Sequence, residues 1–114
     1  MKTYKNQTEL DLDIIDNTLT IDDDVKFEFS FSILAHIKVV GNIDAEGINA
    51  RDINAWDINA RDINAWGINA RNIRFYAVCF SCINFICKSI IGQRRNARYF
   101  CLDSAMQVDN KKGG

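Results

Sequence analysis

The strongest pattern of apolar and polar positions runs from Gly41 to Arg74. Ile stands at 43, 48, 53, 58, 63, 68 and 73, and Ala stands two residues after each of the first six, from 45 to 70. The period is five, which suits neither ordinary element. On an α-helix, five residues turn the chain about 140° past a full circle, so the Ile row would wind around the surface. On a continuous strand, an odd period throws successive Ile onto opposite faces. The pattern is satisfied when the chain bends once per unit, each unit being a short strand and a corner. A fixed period with an apolar face in every unit is the mark of a stacked repeat. The stretch therefore predicts an all-β fold, a short parallel β-solenoid.

Burial sets the register. Side chains alternate along Ile-Asn-Ala, so Ile53 and Ala55 share one face and Asn54 takes the other. The competing register turns the residue two before each Ile inward and buries Arg51, Trp56, Arg61 and Arg71. An unpaired buried charge costs several kcal/mol or more, which rejects it. Asp52, Asp57, Asp62 and Gly67 then fall at corners, where Asp and Gly suit tight turns.

The flanks read differently. Leu10, Leu12 and Ile14, then Leu19 and Ile21, form short alternations, with turn signals at Asp16-Asn17 and Asp22-Asp23-Asp24. From Val25 to Val39 the period is two, which predicts one or two strands capping the first coil. Beyond Ala70, Ile73-Arg74-Phe75, Val78-Cys79-Phe80 and Ile83-Asn84-Phe85 place Phe where Ala stood. With Ile73, Val78 and Ile83 also inward, the three Phe are expected to plug the last coil. That frame leaves Cys79 outward and Cys82 and Cys87 at corners. Lys88 takes an Ile position and ends the repeat; Tyr99 to Leu102 reads as a final strand. One domain is expected, with residues 1–40 as N-terminal cap, 41–87 as solenoid, 88–106 as a basic C-terminal cap and 107–114 as a tail.

Residues 41–87 resemble pentapeptide-repeat proteins, although here the large residue comes first and the small one sits at the centre. The resemblance implies a right-handed quadrilateral β-helix, with four five-residue faces per coil. Residues twenty apart would then be vertical neighbours: Arg51 under Arg71, Trp56 under Tyr76, Asn49 under Asn69, Asn64 under Asn84. The family includes dimeric, strongly acidic DNA mimics that inhibit gyrase. DNA mimicry carries over to Asp52, Asp57, Asp62 and the acidic N-terminus.

Composition and charge sharpen the picture. With 114 residues and 47% hydrophobic content, the chain suits one core. The net charge of −1 hides an asymmetry: −4 over residues 1–40, −3 over 41–70 and +6 over 71–114, all counted from the sequence. No basic and apolar leader opens the chain, and no apolar run is long enough to span a membrane. Four Cys without a secretory signal are expected as free thiols in the cytoplasm. A zinc site from Cys79, Cys82, Cys87 and Cys101 is disfavoured by their spread over different edges, so neither metal nor cofactor is expected. His36 is the only histidine and has no nucleophile beside it. The corner Asp residues are too regular to single out a catalytic pair, and no phosphate loop is present. An enzyme is not expected.

Two features depart from the repeat. Trp56 and Trp66 point outward, which suggests a partner surface or self-association such as a homodimer. Arg71, Arg74, Arg94, Arg95 and Arg98, with Tyr76 and Tyr99, form a basic and aromatic surface suited to an acidic protein face or to phosphates. The expected function is a non-catalytic protein-interaction module, a small bacterial or phage inhibitor that blocks a nucleic-acid enzyme or a CRISPR effector, as anti-CRISPR proteins do. Direct nucleic-acid binding through the basic end and end-to-end structural assembly are the alternatives.

Overall fold

The computed structural model describes residues 1–103 and 107–108. In chain order its elements are β1 (Lys2–Tyr4), α1 (Gln7–Leu12), β2 (Thr18–Ile21), β3 (Val25–Phe27), β4 (Phe31–Ser32), β5 (His36–Val39), β6 (Ile43–Asp44), β7 (Gly47–Asn54), β8 (Asp57–Asn69), β9 (Asn72–Cys87), β10 (Ser89–Gly92), β11 (Arg98–Cys101) and β12 (Gln107–Val108). Every pairing between these strands is parallel, and the chain winds into a β-solenoid of about five turns. No helix among the described residues is long and apolar enough to cross a membrane.

The coil has three faces through the repeat, not the four implied by the pentapeptide resemblance. Ile48 lies beside Ile63, Ile53 beside Ile68, Ile43 beside Ile58, and Ile58 beside Ile73, always fifteen residues apart. The amide ladders accordingly pair Asn49 with Asn64 and Asn54 with Asn69, and not residues twenty apart. Fifteen and twenty are both multiples of five, so the Ile and Ala rows are silent on the choice. The arginines are not. At an offset of twenty Arg51 would sit on Arg71, like charge on like; at fifteen each Arg meets an aromatic ring.

One face stacks β1, β3, β6 and β10 with the segments at Ile58 and Ile73. A second stacks β4 and β11 with the segments at Ile48, Ile63 and Cys79. The third stacks β2, β5 and β12 with the segments at Ile53, Ile68 and Phe85. Ile and Ala from all three faces meet on the axis, and Ile58, Ile63 and Ile68 are almost wholly buried. Burying each Ile contributes about 1.5–3 kcal/mol, repeated rung after rung.

The N-terminal coils keep this design with longer corners. Val25 to Val39 is not one or two long strands but three short ones on three faces, since the alternation runs through each corner. The Phe27 and Phe31 rings meet inside at 4.2 Å. Leu10 lies in α1, not in an extended alternation. Asn6 caps this helix by accepting from the Glu9 backbone N–H at 2.9 Å, and Glu9 accepts from the Lys5 N–H. The Gln7 side chain bonds the Ser32 backbone, so α1 stands in for a strand on the second face. Asp16 and Asn17 adopt φ of 53° and 60° between the bridged Ile15 and Thr18, as a tight reversal needs.

Beyond Phe75 the frame slips by one residue, and beyond Ser81 by a second. Ile63 pairs with Cys79 and Ala65 with Ser81, so Cys79 is buried while Val78 is exposed and Phe80 points outward. Phe85 and Cys87, not Ile83, complete the inner set. Packing explains the slip: Phe75, Phe80 and Phe85 facing inward in one coil would overfill it. The observed set balances two Phe against Cys79, Ser81 and Cys87. Ser81 is satisfied by donating to the Trp66 carbonyl at 2.7 Å, and it also lies against the Asn84 carbonyl. Gln107 and Val108 form β12 against Ile86 and Cys87 instead of a loose tail; residues 109–114 lie outside the described residues.

Candidate functional site

Three corner columns run along the solenoid, and each joins a cation to an aromatic ring across one rung. The Arg51 guanidinium lies 5.0 Å from the centre of the Trp66 ring, Arg71 5.0 Å from Trp56, and Arg61 5.2 Å from Tyr76. Such pairs contribute about 0.5–1 kcal/mol where exposed. The Arg/Trp alternation at ten-residue spacing is thus a device for a coil of fifteen. It also means that Trp56, Trp66 and Tyr76 stand on three different edges and do not form one surface.

The outward rows of the faces change character toward the C-terminus. On the second face the row reads Ser32, Asn49, Asn64, Phe80 and Phe100. The last two rings stack at 5.3 Å with planes 7° apart. On the third face Asn54 and Asn69 give way to Ile86; on the first, Asp44 and Asn59 give way to Arg74 and Ile91. Val78, Ile83, Ile86, Ile91, Phe100 and Leu102 are all exposed. The one-residue slip exposes Val78 and Phe80, which is why a strict pentad count missed them.

The basic residues gather on these same coils. Arg74 projects from the first face between Asn59 and Ile91. Arg94 and Arg95 lie in the turn after β10, where the Arg94 N–H donates to the Tyr76 carbonyl at 2.8 Å. Arg98 and Tyr99 belong to β11, with Tyr99 edge-on to Phe75 at 6.1 Å and closing the axis. Among the described residues none of these arginines has a carboxylate within salt-bridge distance; the ion pairs Met1–Asp23 and Lys2–Asp13 and the His36–Asp52 contact all lie in the N-terminal half. The structure therefore brings Arg74, Arg94, Arg95, Arg98 and Tyr99 to one end. Trp56 and Arg71 border a separate groove of about 490 Å³, floored by Ala55, Ala70 and Cys87 and walled by Asn69, Ile86 and Lys88.

The remaining chemistry is quiet. His36 Nδ1 sits 2.7 Å from the Asp52 carboxylate, a polar contact across one rung. The four cysteines are free. Burial pushes the Cys79 thiol far above its ordinary range, helped by the neighbouring Cys87, and raises Cys87 to about 11. Thiols held protonated in this way are poor nucleophiles. No cluster of three or more metal-ligating side chains occurs among the described residues. No protein-family model, curated protein or solved structure matches the chain.

Proposed function

We propose that the protein is a non-catalytic interaction module, a small inhibitor or regulator that binds a partner protein through its last two coils. One observation carries this reading: the outward rows turn from asparagine to exposed apolar side chains as arginines without a carboxylate partner among the described residues appear. Exposed apolar area beside Arg and aromatic residues is the composition of interaction hot spots. The central coils, with their Asn ladders, hold that end at a fixed distance. The five-residue unit is the feature shared with pentapeptide-repeat proteins, although the coil here has three faces, and four free cysteines suit a reducing cytoplasm.

The test is affinity capture from host lysate with three variants. Phe100→Asn with Ile91→Asn, and Arg94→Glu with Arg95→Glu and Arg98→Glu, are each expected to lose at least ten-fold in capture of the same partner, about 1.4 kcal/mol or more. Asn64→Ser, on a central coil, retains it. Capture unchanged by both C-terminal variants would overturn the proposal. The same arginines beside the stacked Phe80 and Phe100 favour nucleic acid as the second reading. Affinity for a single-stranded oligonucleotide that falls steeply with salt would support that alternative.

A further inference from the structure

The three Arg–aromatic columns differ in what lies on the far side of each arginine from its ring. The Arg51 N–H donates to the Ala35 carbonyl and the Arg61 N–H to the Glu46 carbonyl, so those rungs supply a small apolar residue and an acid. Beyond Arg71 stands Lys88, whose N–H donates to the Arg71 carbonyl at 2.7 Å. Adjacent rungs are about 4.8 Å apart, and like charges set directly opposite one another destabilise a sheet. Neither cation has a carboxylate within salt-bridge distance among the described residues. The cost of this pairing is not met by the residues around it.

The groove of about 490 Å³ lies beside this pair and has a matching lining. Arg71 and Lys88 border it, and none of its lining residues is an acid. Cys87 adds no negative charge, because burial raises its thiol to about 11. Ala55, Ala70 and Cys87 turn their side chains to the axis, which leaves a flat strip of peptide backbone as the floor. Trp56, Ile86 and Val108 bound that strip with apolar surface, and Asn54 and Asn69 offer amide donors and acceptors along one wall. Two adjacent cations match a dianion better than a single carboxylate. A phosphate monoester carries about −1.5 to −2 charges at neutral pH and three acceptor oxygens, and a guanidinium holds it through two N–H groups at once. The volume exceeds what a bare phosphate fills and falls within the range of small-molecule sites, about 300–1,000 Å³.

We propose that this groove binds a small phosphate monoester with a flat organic body, of the size of a nucleoside 5′-monophosphate. The phosphate sits between Arg71 and Lys88, and the flat body lies on the backbone strip beside Trp56. The site is on the flank of the solenoid and does not depend on the partner surface formed by Arg94, Arg95, Arg98 and Phe100. A rival occupant is the chain itself: Asp109 follows Val108 in the sequence and lies outside the described residues. Its carboxylate would set one charge against two.

Calorimetric titration of the full chain with adenosine 5′-monophosphate, adenosine and inorganic phosphate tests the proposal. The nucleotide is expected to bind about ten-fold or more tightly than either fragment. Arg71→Gln and Lys88→Gln should each weaken it by about ten-fold or more, with circular dichroism showing that the fold is kept. Lys26→Gln, which removes a cation from the first face of an N-terminal coil, binds as the wild type does. Trp66→Phe keeps a ring over Arg51 and leaves Trp56 as the sole tryptophan, so its emission should change as the nucleotide binds. No nucleotide binding, equal affinity for phosphate or adenosine, or affinity unchanged in folded Arg71→Gln and Lys88→Gln would overturn the proposal. Binding without a change in Trp56 emission would place the ligand elsewhere and overturn it too. Binding that appears only in Asp109→Asn would make the chain's own carboxylate the occupant, with the same consequence. None of these substitutions touches Arg94, Arg95, Arg98 or Phe100, so loss of nucleotide and loss of partner capture are read separately.

Discussion

At the scale of single residues, departures from the repeat are informative because the repeat explains so much. Gly67 stands where neighbouring units carry Asp. A Cβ there would lie 2.5 Å from Asn84 Oδ1 and 2.6 Å from Asp52 Oδ1. Gly67→Asp, which restores the pentad in sequence, must displace both side-chain ends and sets a second carboxylate beside Asp52, so it is expected to destabilise the fold by about 0.5–1 kcal/mol in urea denaturation. A repeat judged by consensus alone predicts the opposite sign. Arg51 and Trp66 test the stacking directly. A double-mutant cycle with Arg51→Ala and Trp66→Ala should give a coupling of about 0.5–1 kcal/mol. The pair Arg51 and Arg71, neighbours only in a four-faced coil, should give none.

Individual elements show how much of this architecture could be read from the chain. The Ile and Ala rows and the outward Asn were legible because each strand from Gly47 to Asn69 repeats one inside–outside pattern. The size of the coil was not legible in those rows, since a multiple of five fits three faces or four. It was encoded in the Arg and Trp positions, whose meaning depends on which rung lies above. In β9 the count failed outright. An extra residue at the Tyr76-Ala77 corner moved Cys79 and Ser81 inside, and a second at the Cys82-Ile83 corner moved Cys87 inside beside Phe85, a choice made by volume and invisible to periodicity. Of the candidate surface, Arg94, Arg95, Arg98 and Tyr99 were readable as a basic and aromatic run, while Phe80 and Phe100 emerged only with the register. The buried thiols carry a pH signature. The folded-state value of Cys87 is raised, so its thiol form is favoured by the fold, and stability is complete below the ordinary value of 9.0. It then declines as pH rises from there toward about 11. Thermal melts across that window should show a smaller alkaline loss for Cys87→Ala than for the wild type; an identical loss would mean that Cys87 ionises freely in the folded state.

For the whole molecule, the solenoid separates holding from recognising. The solenoid runs from an acidic end covered on one face by α1 to a basic, apolar end. Between them the coils repeat Ile and Ala inside and Asn outside. Stability in such a fold is a sum over rungs and the interfaces between them, so adding a correct rung strengthens it and adding an incorrect one does not. The scaffold under the C-terminal end is the fifteen-residue coil of the repeat, which sets which side chains meet from rung to rung. Duplication of residues 52–66, one full coil, tests that coil most directly when compared with duplication of residues 52–71, four pentads. The fifteen-residue insertion should raise the urea midpoint, or at least preserve a single cooperative transition with parallel-β circular dichroism. The twenty-residue insertion should lower the midpoint or break cooperativity. The reverse order, with the twenty-residue insertion stable and the fifteen-residue insertion disrupted, would contradict the three-faced solenoid.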